Sequence, residues 1–205
     1  MFFLYNTVVG QNSAEHLDTI VKNYINELNS TGIDTVCIYK DYCVGCIYFS
    51  KKKEDKCDAD GFYVPTYIFW LDKGQTFMTL KDNCFDYSTL KIDNDSIWQF
   101  FSAKRDIIKK EEIKMPQYIE IKNGKEETYS SSVDHSRHQD IQMIIGQNII
   151  IDKDLDDYYF SKEIEEQKNI NYEYNINSCL KKFQLLISNT IKTATQKQKL
   201  QKTRR

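Results

Sequence analysis

Phe62-Tyr63-Val64-Pro65-Thr66-Tyr67-Ile68-Phe69-Trp70-Leu71 is almost continuously apolar and aromatic. Bounded by Asp60-Gly61 before it and Lys73-Gly74 after it, this run predicts a central strand. A central strand needs partners on both sides, and the flanking sequence offers them. Thr35 to Tyr39 and Tyr42 to Phe49 predict two strands meeting at Lys40-Asp41, and Thr76 to Leu80 predicts another beyond Lys73-Gly74. Further out, Phe2 to Val9 predicts a strand. Gln117 to Ile121 and Lys125 to Tyr129 predict a hairpin through Asn123-Gly124, a dipeptide suited to the positive φ angles of a tight hairpin turn. Ile141 to Ile145 and Asn148 to Ile151 predict a second hairpin through Gly146-Gln147.

Three stretches carry helical periodicity instead. Ala14, Leu17, Ile20, Val21, Tyr24, Ile25 and Leu28 share one face, with Asn12 or Ser13 as cap and Gly32 as a left-handed stop. Ile97, Phe100, Phe101, Ile107 and Ile108 line a second helix, with Trp98 beside them; Asp93 or Asp95 caps it and Met115-Pro116 ends it. Ile176, Cys179, Leu180, Phe183, Leu186, Ile187, Ile191 and Ala194 line a third. Hairpin-length links dominate. The expected class is therefore α+β: a mostly antiparallel sheet with about three helices packed on one face, the C-terminal helix ending in a basic tail. One domain is expected over 1–195, with 196–205 as a frayed basic tail. The first six elements follow the split βαβ order, which many unrelated proteins share.

At 205 residues, 40% hydrophobic, the chain is long enough for one well-buried core. The net charge of −2 conceals an asymmetry, because after Glu173 there are no acidic residues and eight basic ones. An acidic body with a basic tail can pair with itself or reach an anionic partner. The opening Met1-Phe2-Phe3-Leu4-Tyr5-Asn6 lacks the basic and long apolar regions of a signal peptide, and no apolar run is long enough for a membrane span. With six cysteines and no export signal, reduced thiols and a cytoplasmic location are expected.

The densest polar chemistry lies in Ser130-Ser131-Ser132-Val133-Asp134-His135-Ser136-Arg137-His138-Gln139-Asp140. Asp134, His135, His138 and Asp140 are the candidate catalytic residues. Imidazole and carboxylate can ligate a transition metal or move a proton. The commoner reading of such a stretch is a polar loop whose side chains satisfy local backbone groups. Cys43-Val44-Gly45-Cys46 resembles half of a zinc ribbon, with Cys57 and Cys84 as further thiols. On a strand, residues three apart lie about 10 Å apart and face opposite ways, so buried free thiols are expected there. Asp152-Lys153-Asp154-Leu155-Asp156 with Glu163 has calcium-loop spacing, but Asp157 stands where the turn needs glycine, and an acidic solvated loop is expected. Asp60-Gly61-Phe62-Tyr63-Val64 and Phe2-Phe3-Leu4-Tyr5-Asn6 resemble in part the paired aromatic motifs of an RNA-recognition fold, with Asp60 in place of a base. No phosphate-binding loop, dinucleotide fingerprint, nucleophile elbow or His-Glu-x-x-His is present.

The balance favours a non-enzymatic binding protein over an enzyme, acting on another protein of basic character, with no cofactor, metal or membrane partner expected. Tyr63, Tyr67, Trp70, Asp156, Asp157, Tyr158 and Tyr159 are the candidate contact residues, as aromatics are enriched at interfaces. In size, acidity and lack of motifs the chain resembles the immunity proteins that neutralise bacterial toxins, a resemblance of profile that no residue pattern carries. A metal-dependent hydrolase or nuclease at Asp134, His135, His138 and Asp140 is the alternative. RNA or single-stranded nucleic-acid binding is third, since an acidic body repels phosphate.

Overall fold

The computed structural model describes residues 9–46, 64–82 and 85–204. The expected strand at Phe2 to Val9 falls outside them except for Val9, which opens helix α1 (Val9–Ser30). The expected loop at Ser50 to Gly61 and most of the aromatic pair of motifs also fall outside.

β1 (Thr35–Val44) runs straight through Lys40-Asp41, where two strands were expected to meet. Nothing at that point requires a turn, and both charges find partners. Lys40 Nζ bonds Asp18 Oδ1 at 2.8 Å, and Asp41 takes two hydrogen bonds from Arg137. β2 (Thr66–Asp72) is the expected central run. β3 (Gln75–Lys81) follows it, then the short strands β4 (Phe85–Tyr87) and β5 (Leu90–Ile92). Next come helix α2 (Ser96–Lys110), the hairpin β6 (Gln117–Lys122) and β7 (Lys125–Ser130), and the long hairpin β8 (Ser136–Ile145) and β9 (Asn148–Asp156). A 3-10 turn (Asp157–Phe160) leads to β10 (Glu163–Ile164) and β11 (Gln167–Lys168). Helices α3 (Tyr172–Asn177) and α4 (Cys179–Lys197) follow, then β12 (Lys202–Arg204).

The main sheet has eight strands in the order β12-β4-β3-β2-β1-β8-β9, with β5 also on β3, and its strands pair antiparallel. Its two faces are set by period-two alternation along each strand. Val36, Ile38, Ile68, Trp70 and Ile144 point towards Leu17, Val21 and Leu28 of α1. Cys37, Tyr39, Phe69, Met78, Met143 and Leu155 point the other way, into a larger core with Ile97 and Phe101 of α2 and Phe183 and Ile187 of α4. Helices therefore cover both faces of the sheet, where one was expected. Trp70, a candidate contact residue, is only 6% exposed, because Tyr24 and Phe77 pack on its ring.

The third expected helix is two. Ser178 breaks it with extended backbone (ψ 149°) and caps α4, its Oγ accepting from the Lys181 N–H at 3.0 Å. Glu111, just past α2, also accepts from the Cys179 and Leu180 N–H groups and so ties the end of α2 to the start of α4. The basic C-terminal residues do not all fray. Lys202 to Arg204 pair with β4, and Ser88 exchanges hydrogen bonds with Gln201. A strand register offers those backbone groups partners that a frayed end leaves to water.

Fully buried Asn175 ties β9's exit to the linker after α2. Its amide donates to the Tyr159 and Lys114 carbonyls, both at 2.8 Å, and its Oδ1 accepts from the Lys114 N–H at 2.9 Å. Asn175→Ala orphans all three backbone groups, and the expected loss is about 2–3 kcal/mol. Urea denaturation checks this through the midpoint at unchanged slope; an unmoved midpoint would show the network to be dispensable.

Candidate functional site

Two segments singled out separately in the sequence meet on one face. β8 begins at Ser136 and β9 runs on to Asp156, so the expected loops at Ser136–Asp140 and Asp152–Asp156 are adjacent strands. His138 stands opposite Asp156, Asp140 opposite Asp154 and Gln142 opposite Asp152. On the other side Lys40 pairs with Asp140 and Tyr42 with His138. Directly opposed residues share a face, so Asp140, Asp152, Asp154, Asp156 and His138 all project on the side of the sheet that carries α1.

His138 is held in place from several directions. Its ring stacks on Tyr42, centroids 5.8 Å apart and 23° between planes. Nδ1 lies 3.0 Å from Asp154 Oδ1, and Nε2 lies 3.0 Å from Ser136 Oγ and 3.9 Å from Asp156 Oδ2. A neutral imidazole donating from Nδ1 to the carboxylate accepts the Ser136 proton at Nε2. The side chain is 19% exposed. Tyr42 donates to Asp140 Oδ1 at 3.2 Å, and burial, followed by the Asp140 and Asp154 charges, pushes its phenol well above the usual range.

A groove of about 1040 Å³ opens beside this cluster, between α1 and the outer strands. Its walls carry Val21, Ile25, Ile38, Ile144 and Ile149; its rim carries Asp18, Asp140 and Asp152 with Lys22 and Lys40. Ile149 is 57% exposed, so part of the floor is open to water.

The other candidates fall elsewhere. His135 precedes β8, and its ring lies against Gly45, so close that a Cβ there would clash with the imidazole. His135 and His138 therefore belong to different environments, and Asp134 is exposed before the strand. Among the described residues no three His, Cys, Asp or Glu side chains are placed to hold a metal ion. That argues against the metal-ligand reading of Asp134, His135, His138 and Asp140. The expected acidic loop at Asp152–Asp156 is strand, and its three carboxylates span about 13 Å along it, too far for all of them to meet at one ion. Tyr63, Cys57 and Cys84 lie outside the described residues. Tyr67 is half-buried against Tyr39, Asp157 lies 3.6 Å from Lys181, and Tyr158 is tethered to Ser131 at 2.8 Å. Tyr159 flanks the acidic face, its phenol raised by burial and by Asp156 and Asp154.

The chain matches no protein-family model, no curated protein and no solved structure. Among the described residues, no helix is long and apolar enough to cross a membrane.

Burial first, then the neighbouring Asp154 charge, raises the Asp140 carboxyl above the ordinary range. Folding then takes up a proton between the unfolded value, about 3.9, and the raised folded value. The ionised form is the destabilised one, so Asp140's contribution to stability falls as pH rises through that window. Asp140→Asn is expected to raise the melting temperature at neutral pH and to leave it unchanged below the ordinary carboxylate range. Calorimetric melts across pH check this, and a variant less stable at neutral pH would contradict it.

Proposed function

We propose that this chain is a non-enzymatic binding protein whose acidic β8–β9 face and adjoining groove receive a cationic segment of another protein. The observation that carries this reading is the row of Asp140, Asp152, Asp154 and Asp156 on two paired strands. Like charges directly opposite one another destabilise a sheet, as with Asp140 and Asp154. Lys40 lies beside the row but is already paired with Asp18. A lysine- or arginine-rich partner neutralises the repulsion, and the exposed Ile149 and its neighbours take the methylene stems of those long side chains. Opposed charge also steers encounter and sets specificity. The profile resemblance to toxin-neutralising immunity proteins suggests the finer reading of a basic, nuclease-type toxin as partner.

Titration calorimetry against a panel of purified cationic nuclease toxins tests this, with an acidic protein of similar size as control. Saturable one-to-one binding is expected, slower to form as salt rises. The double reversal Asp152→Lys/Asp154→Lys is expected to weaken it about tenfold or more. Absence of binding to every cationic protein, or equal binding by the reversed variant, would remove the reading.

The Ser136–His138–Asp154 chain supports a second reading, a metal-free hydrolase with Ser136 as nucleophile and His138 as base. A fluorophosphonate adduct on Ser136, lost in His138→Ala, is the expected outcome on that reading; an unlabelled Ser136 counts against it.

A further inference from the structure

We propose that Cys43 and Cys46 form a thiol–disulfide exchange centre, oxidised and reduced by a low-molecular-weight thiol and its disulfide, with His135 as the adjacent proton acceptor. The pair is a disulfide with Cα atoms 5.5 Å apart, inside the span a disulfide bridges without moving the backbone. Two buried free thiols facing opposite ways were expected, and the reason for the difference is local. β1 ends at Val44, and Gly45 takes φ +73°, which turns the chain back so that Cys46 meets Cys43. Glycine is needed there twice over, for that backbone angle and because the His135 ring occupies the place of a Cβ.

Access and environment separate this pair from the other described cysteines. Cys46 is exposed and Cys43 half-buried, so an incoming thiolate reaches the outer sulfur. Cys37 is fully buried in the core and its thiol is pushed up by burial, which makes it inert. Cys179 is unpaired, half-buried at the start of α4. The His135 ring lies on Gly45, between the two cysteines in sequence, and a proton held on such a ring favours a nearby thiolate, the nucleophilic form.

The exchange balances as follows. A small thiol gives its proton to His135, and its thiolate attacks Sγ of Cys46 and forms a mixed disulfide there. The Sγ–Sγ bond breaks, its electron pair leaves on Cys43, and that thiolate is protonated from the His135 imidazolium. A second small thiol gives up its proton, and its thiolate attacks the small-molecule sulfur of the mixed disulfide; Cys46 leaves as the thiolate and takes that proton. One protein disulfide becomes two thiols, two small thiols become one disulfide, and two electrons pass. Oxidation is the reverse.

The test is equilibration of the whole protein with glutathione and glutathione disulfide over a series of ratios, then acid quench, alkylation and peptide mass analysis. Cys43 and Cys46 are expected to gain and lose two alkyl labels together across the series, while Cys37 and Cys179 stay unlinked throughout. A second measurement follows the alkylation rate of the reduced protein against pH. His135→Asn, checked for folding by circular dichroism, is expected to move the midpoint upward and slow labelling several-fold at neutral pH; Cys43→Ser is expected to abolish the paired response. Two free thiols at every ratio, or Cys46 linked to another cysteine, would overturn the centre. An unchanged pH profile in His135→Asn would overturn the assignment of His135.

Discussion

The fold depends on one alternation, that of β1. Its even-numbered residues Val36 and Ile38 belong to the core under α1, and its odd-numbered residues Cys37 and Tyr39 to the core under α2 and α4. Because β1 is paired on both sides, its phase is passed to β2 and β8 through cross-strand partners such as Val36 with Trp70 and Ile144. A slip by one residue would exchange the contents of the two cores, and burial of the wrong side chains would then oppose it on both faces at once.

Towards the far end of β1 and the β8–β9 edge, the same alternation produces a polar surface. The row from Val36 through Ile144 is apolar beneath the helix, and the rows beyond it, at Lys40 and Tyr42, are charged and aromatic. The carboxylates of β8 and β9 thus continue a core face beside α1, whose Asp18 still reaches Lys40. It is also ordered, since His138 bridges Asp154 and Ser136 while Tyr42 holds both His138 and Asp140. A surface whose charged groups already stand in fixed places loses less side-chain freedom when a partner binds.

Much of the framework was legible. The periodicity of α1, the stop at Gly32 and the turns at Asn123-Gly124 and Gly146-Gln147 rest on local chemistry that neighbouring residues express directly. The extents of β1, β8 and β9 did not, because Lys40-Asp41 and the Asp and His clusters have turn-like composition and only cross-strand partners keep them extended. A signal was present even so. Asp152, Asp154 and Asp156 alternate with Lys153 and Leu155, and that period of two marks a strand with one polar face. The closed Cys43–Cys46 pair was hidden by the position of one glycine at the strand's end. His135 and Gly45 come together only through the β1–β8 register, which no local pattern encodes.

The β8–β9 register shifts between Met143 and Ile144: Ile144 stands opposite Ile149, but Met143 stands opposite Ile151, which leaves Ile150 as an extra residue. Had the hairpin continued in its initial pairing, Lys153 would oppose Asp140 and Leu155 would oppose His138. The carboxylates of Asp152, Asp154 and Asp156 would then be driven into the interior beneath α4, and Ile151 and Leu155 would be turned out to water. One surplus isoleucine therefore acts as a parity switch for the whole strand, deciding which side of the sheet carries its three carboxylates. Without that residue three carboxylates would be set against an apolar core, so the surplus isoleucine is what lets the charged strand and the buried strand be one and the same.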